Sequence, residues 1–313
     1  FFFTPGMLTP SLFNDDAIFV VLAANHVGAQ DLPDYAVAGC QEPLVMGKDN
    51  GNTTNSWLNM PKVLELVLNG GKSMITGKPL VSLELPEDPA ELLRNLRPLF
   101  YKALAKVAGA MEAAANGATQ AASNLRVPFL SAFMGGLDTG YDMRDTQHQG
   151  TKYNGSGCLI HGLSVIADSF IAVDHLLKER PEDCGRLLAG LKDDFAGDPE
   201  LRDYLKSRPK FGNNIPEVDR EAAEIAGRVS DLVASLRNNW GNPFRPDWSS
   251  PSTHLLYGYW VGALPDGRKS REMLGYGVDP LFGDAQQGLG FRTLSAFALP
   301  YRKVAGGCAS HFG

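Results

Sequence analysis

The stretch Gly39-Cys40-Gln41-Glu42-Pro43 puts a thiol and a carboxylate two residues apart. In an extended backbone the side chains at i and i+2 project the same way, so Cys40 and Glu42 would face one substrate together. A thiol can give and take a hydrogen atom, and a carboxylate can act as a base. Gly39 and Pro43 sharpen and stiffen the loop around the pair. A buried structural cysteine beside a surface glutamate is the commoner outcome of such a spacing. Spacing alone leaves both readings open.

The elements that must position this loop can be read on either side of it. Asn14-Asp15-Asp16 reads as an N-cap with acidic first-turn residues. A helix follows through Ile18, Val21 and Leu22 to about Val27. Tyr35-Ala36-Val37-Ala38-Gly39 is short and β-like and delivers the chain to Cys40. A polar loop runs from Gly47 to Asn55. Trp57 to Asn69 reads as a helix, with Pro61 in its first turn and Gly70-Gly71 as its stop. Residues 89–116 form a long helical stretch, kinked or restarted at Pro98. Val127-Pro128-Phe129-Leu130 is a short apolar segment. Residues 158–178 read as helix, with Leu159, Leu163, Ile166 and Phe170 on one face. The clearest period runs from Pro216 to Asn239, where Val218, Ala222, Ile225, Val229, Leu232 and Leu236 alternate steps of four and three. After Trp240 the chain is loop-rich through Asp284. Helices alternating with short buried strands favour an α/β architecture.

Composition excludes several classes. The chain has 313 residues and a net charge of −6, with no basic patch, which disfavours nucleic acid and anionic membrane as partners. No apolar run approaches the roughly 20 residues that span a bilayer. Phe1-Phe2-Phe3-Thr4-Pro5-Gly6 lacks the basic start and small-residue cleavage site of a signal peptide. The four cysteines, at 40, 158, 184 and 308, form no C-x-x-C pair and no disulfide framework. A reducing cytoplasm fits this usage. The abrupt start and end read as a piece cut from a longer chain.

Tyr-x-x-x-Gly-Cys-x-Glu-Pro, from Tyr35 to Pro43, followed by Gly47-Lys48, resembles the active-cysteine loop of the glycyl radical enzymes, the pyruvate formate-lyase-like family. Phe13-Asn14-Asp15-Asp16 precedes it at the family's distance, and Asn59 and Glu65-Leu66 follow it. Lys152-Tyr153-Asn154 and Ala167-Asp168-Ser169 resemble further family blocks. So do Pro209-Lys210-Phe211-Gly212-Asn213 and Gly262-Ala263-Leu264-Pro265-Asp266-Gly267-Arg268-Lys269. They occur in the family's order over nearly the whole chain.

The resemblance implies a fragment of a ten-stranded α/β barrel, two antiparallel five-stranded half-sheets wrapped by helices, with the cysteine loop at its centre. Residues 1–313 would be a partial barrel domain, without its N-terminal part and without the C-terminal glycyl radical domain. Cys40 matches the thiyl position, and Glu42 the base or proton relay of the eliminating and decarboxylating branches. A radical thiol needs a shielded interior, because exposed reactive thiols oxidise. By the same resemblance the protein is an anaerobic cytoplasmic lyase, a dehydratase by first choice. A decarboxylase or carbon–carbon lyase is the alternative, and a degenerate binding partner a further one. It would bind no cofactor or metal itself. Its radical would be installed by a radical-SAM iron–sulfur activating enzyme, and it would form a homodimer acting on a small molecule.

Three departures sharpen the reading. Pyruvate-cleaving members use adjacent cysteines, but Gly39 stands beside Cys40. Polyol- and choline-type members carry an Asp fourteen residues after the cysteine, and that count lands on Thr54. Asn52, Thr54 and Asn55 are uncharged substrate-binding candidates there, with Tyr153 a fourth. The family's Arg-Val-x-Gly-Tyr radical motif is absent: Arg228-Val229-Ser230-Asp231 only begins like it and sits on the periodic helix. The fragment is therefore expected to be inactive alone.

Other residues have plainer readings. His148 and His161 read as hydrogen-bonded polar residues rather than a pocket pair. Asp138, Asp142 and Asp145 lack the spacing of a calcium loop. Gly288-Leu289-Gly290 is too short for a dinucleotide fingerprint. Cys158, Cys184 and Cys308 read as structural thiols.

Overall fold

Asn14 opens the first helix, α1 (Asp15–Ala24), by accepting a hydrogen bond from the Ala17 amide at 3.1 Å. In the computed structural model, residues 13–38, 42–50, 55–249 and 253–310 are described. After α1 comes an antiparallel hairpin, β1 (Tyr35–Ala38) and β2 (Glu42–Val45). Strand β3 (Ser56–Asn59) leads directly into α2 (Met60–Leu68). The helices α3 (Pro89–Arg94), α4 (Leu96–Ala122), α5 (Pro128–Phe133) and α6 (Gly136–Thr139) precede β4 (Ser156–His161). Next come α7 (Leu163–Glu179), α8 (Cys184–Lys192), α9 (Pro199–Lys206) and α10 (Pro216–Ser235). Strand β5 (Phe244–Trp248), α11 (Thr253–Tyr259), α12 (Leu289–Phe297) and the short β6 (Gly307–Cys308) complete the order.

The strands β3-β4-β5-β6 form one sheet in that order, every pair parallel. Ser56 lies opposite Cys158, Ser156 opposite Phe244, and Asp247 opposite Gly307. Helices α2, α4, α7 and α10 contribute most of the core, around Phe100, Phe170, Phe211, Phe244 and Trp248. This is the α/β layering expected for parallel strands joined by helices. The ten strands in two antiparallel five-stranded half-sheets are not seen among the described residues, which hold four parallel strands and a separate two-stranded hairpin.

Two helix expectations are corrected at their starts. Trp57–Asn59 is strand: Ser56 and Leu58 are buried while Trp57 between them is exposed, the alternation of a pleat. Asn59 then caps α2, accepting from the Lys62 amide at 3.2 Å. Residues 158–161 are likewise strand, and Gly162, at φ 89°, turns the chain into α7. A fully buried apolar run looks the same in a parallel strand as in a buried helix. The long helical stretch does restart, but at Asn95 rather than Pro98. Proline is tolerated there because the first-turn amides have no intrahelical partner. The stretch after Trp240 holds β5 and α11 as well as loop.

Several of the family blocks meet as scaffold. Asp168 Oδ1 accepts from the Phe211 amide at 2.8 Å, tying α7 to the segment after α9. Lys210 Nζ donates to the Asp266 carbonyl at 2.7 Å and the Leu205 carbonyl at 3.3 Å. Arg268 donates to the carbonyls of Gly262 and Gly258, each at 2.8 Å, and to that of Glu272. Buried Glu65 of α2 accepts from Lys62 Nζ, the Met74 amide and the Gly262 amide. On the other side, Arg97 of α4 grips Asp174 of α7 and Glu221 of α10 at 2.6 to 3.0 Å.

Candidate functional site

The hairpin pairs Tyr35 with Val45 and Ala38 with Glu42. Cys40, which falls between these strands in the sequence, is outside the described residues, and so are Asn52 and Thr54, which come after β2. Side chains beneath the hairpin anchor it. Val45 packs with Ile18, Leu22 and Val27 of the α1 region. Lys48 Nζ bridges Asp31 and Asp34 at 2.7 Å each. Lys152 Nζ and the Tyr153 hydroxyl both reach Asp31 Oδ2 at 2.5 Å. Hydrogen bonds from Lys152, then Lys48, then Tyr153 hold the Asp31 carboxyl well below its usual range.

Glu42 heads β2 and is only 2 % exposed. It is therefore not the surface glutamate of the plainer sequence reading. Its charge acts on a second buried carboxyl, that of Asp247 on β5, which has no solvent exposure. Strand alternation explains the meeting. Phe244 and Trp248 point into the helix-covered core, and the Trp248 indole donates to Ser230 of α10 at 3.0 Å. Arg245 and Asp247 take the other face. There Arg245 Nη1 donates to Asp49 Oδ2, just past the hairpin, at 2.7 Å. Gly155 leaves room for this guanidinium, since a Cβ there would lie 2.0 Å from Arg245 Nε. Gly306 does the same for Asp247, whose Cβ would lie 2.8 Å from an added one.

Asp247 Oδ1 accepts from the Ser249 amide at 2.8 Å and the Ser249 hydroxyl at 2.6 Å. Its Oδ2 is buried with no hydrogen-bond partner. Burial, set against the Ser249 hydrogen bonds and reinforced by Glu42, pushes this carboxyl well above the usual carboxylate range. Nothing in the local sequence flagged Asp247, which is 205 positions beyond Glu42. The available signal was the alternation in Phe244-Arg245-Pro246-Asp247-Trp248, which places a carboxylate on one face of a short strand.

The other candidates divide. The Asn55 side-chain oxygen accepts from Thr119 Oγ1 at 3.3 Å, while its Nδ2 is buried and unpartnered. The Tyr153 hydroxyl is engaged, donating to Asp31 and accepting from the Gly28 amide at 2.9 Å. His148 is exposed and stacked on Tyr141, whereas His161 is buried against Thr253 and Tyr257. Asp142 and Asp145 accept local backbone amides. Among the described residues, no group of three or more acidic, cysteine or histidine side chains is arranged to hold a metal ion. Burial pushes the thiols of Cys158 and Cys308 up to about 12, so both stay protonated. No helix among the described residues is long and apolar enough to cross a membrane.

A parallel sheet backed by helices on one face, with a hairpin fastened near its other face through Arg245 and Asp49, defines a class of protein that comparison identifies. A family model described as pyruvate formate lyase-like matches residues 2–258. The chain belongs to this family, that of the glycyl radical enzymes. It is 26 % identical over 282 residues to (2S)-3-sulfopropanediol dehydratase of Klebsiella oxytoca, covering 88 % of this chain and 34 % of that one. The glycerol-bound form of the B12-independent glycerol dehydratase from Clostridium butyricum superposes with a TM-score of 0.86 at 28 % identity, covering 96 % of this chain and 38 % of that one. A glycyl radical enzyme from Archaeoglobus fulgidus gives a TM-score of 0.82 at 26 % identity, with 94 % and 37 % covered. The chain thus spans about a third of the length of such relatives.

Proposed function

We propose that this segment carries the hydrogen-abstracting loop of a glycyl radical dehydratase acting on a small organic substrate. Cys40 takes a hydrogen atom from substrate carbon and later returns it. Glu42 takes the proton that elimination releases. The observation that carries this reading is the burial of Glu42 at the head of the strand that returns from Cys40, in a chain of this family. A carboxylate withdrawn from water there acts on substrate without competition from bulk solvent.

A glycyl radical held elsewhere in the full polypeptide, and installed by a radical-SAM iron–sulfur activating enzyme, supplies the oxidising equivalent to Cys40. Asn52, Thr54 and Asn55 offer neutral hydrogen bonds to substrate, and the unpartnered Asn55 amide supports that role. Tyr153, with its hydroxyl engaged, positions the hairpin from behind. The working protein is a cytoplasmic, anaerobic homodimer, and the isolated segment is inert.

The test uses the full-length polypeptide after activation. Cys40→Ser should keep the glycyl radical signal in electron paramagnetic resonance and lose all product. Glu42→Gln should keep exchange of substrate hydrogen but lose elimination, by about 100-fold or more. Unimpaired turnover by Glu42→Gln removes the base role. Release of carbon dioxide instead of water replaces the dehydratase with a decarboxylase.

A further inference from the structure

The sequence offers no carboxylate at Thr54, but the fold brings one in from another strand. Asp247 sits on the hairpin-facing side of β5, two residues from Arg245, whose charge is taken up by Asp49. Its Oδ1 is fixed by the Ser249 amide and hydroxyl, and its Oδ2 is buried without a partner. A buried polar atom left unmatched is costly, so its retention needs an explanation. Gly306 keeps the space that the Asp247 side chain occupies. Glu42 is near enough for its charge to act on Asp247. Burial favours the protonated form of the Asp247 carboxyl, and the neighbouring negative charge favours it further.

We infer that Asp247, through Oδ2, is the proton donor to a hydroxyl leaving group, acting opposite Glu42 as base. The inference rests on the dehydratase reading above. Cys40 first removes a hydrogen atom from a substrate carbon and becomes a thiol. Glu42 then takes the proton released by the substrate radical. The carbon–oxygen bond on the neighbouring carbon breaks with its electron pair on oxygen. Asp247 gives its proton to that oxygen, and water departs. The product radical recovers a hydrogen atom from Cys40. Glu42 has gained one proton and Asp247 has lost one, so transfer from Glu42 to Asp247 resets the pair. The net change is loss of one water from the substrate. Hydroxide is a poor leaving group, so the step gains from a donor already held in its acid form and shielded from water.

The test compares wild type with Asp247→Asn in the activated full-length polypeptide. Asparagine keeps the shape and the Ser249 contacts but cannot deliver a carboxylic proton. Both proteins should show equal glycyl radical spin counts and equal melting temperatures. The wild-type-minus-variant infrared difference at neutral pH should show the carbonyl stretch of a protonated carboxyl. Dehydration of a panel of glycerol, 1,2-propanediol and trans-4-hydroxyproline should fall by about 100-fold or more for any member that wild type accepts, while substrate hydrogen exchange persists. A difference spectrum without that band overturns the inference, because Asp247 is then ionised. Dehydration by the variant within threefold of wild type overturns it too. So does a radical-bearing wild type that turns over no member of the panel. Absence of the radical from wild type refutes the dehydratase reading instead, and the infrared band still decides the state of Asp247.

Discussion

Replacing Asp49 by Asn tests how the hairpin is fastened to the sheet. Arg245 and Asp49 meet at 2.7 Å with side chains 8 % and 1 % exposed, so both charges have left water. Asp49 Oδ1 has no partner, which makes this one contact the main compensation for its charge. Breaking such a pair strands the surviving charge and costs about 3–5 kcal/mol, whereas removing both partners together is far milder. Asp49→Asn and Arg245→Met should each lower unfolding stability by about 3 kcal/mol. The double variant should cost less than the sum of the two by about 2 kcal/mol. Urea unfolding with a common slope reads these differences directly. A loss below about 1 kcal/mol for Asp49→Asn, or strict additivity in the cycle, would refute the claim that this ion pair anchors the loop.

Three further outcomes follow from the same geometry. Burial, then the charge of His254, holds the His161 imidazole at about 4, below its usual 6.5. The unfolded chain therefore binds the extra proton first. Stability should fall as pH drops from 6.5 towards 4, by about 3 kcal/mol in total, and His161→Gln should flatten that slope in unfolding curves taken across the window. Glu65→Ala should cost about 3 kcal/mol, because Lys62 and the Met74 and Gly262 amides lose one shared acceptor. Amide exchange should accelerate at Met74 and Gly262 before it does in α10. Phe170→Ala should cost about 3–5 kcal/mol in denaturant unfolding, since the ring is fully buried between Phe100 and Arg97.

How much could be read in advance follows from the range of each signal. Local signals served well. Asn14 capped α1, the Tyr35 segment formed β1, and the period from Val218 gave α10. Short parallel strands that run straight into helices were the weak point. Leu58 and the residues from Cys158 to His161 carry the same apolar character as the helices that follow them, so strand and helix merged into one predicted element. Ala38 pairs with Glu42 across the hairpin, and Cys40, on which the extended reading turned, falls outside the described residues. Asp247 and Arg245 escaped notice because their importance arises from partners about 200 positions away, which no local pattern encodes.

Among the described residues, the hairpin shares no backbone ladder with the four-stranded sheet. Its seat depends on side-chain clamps and on a few loop bonds, such as those joining Lys48 and Asn50 to Tyr153. A unit attached in this way can part from its support without unzipping a single rung of β4 against β5. Deuterium uptake should therefore reach the paired amides between Tyr35 and Val45 well before it reaches the strand from Ser156 to His161. The hairpin would then be the part of the molecule that yields first, while the wall behind it stands.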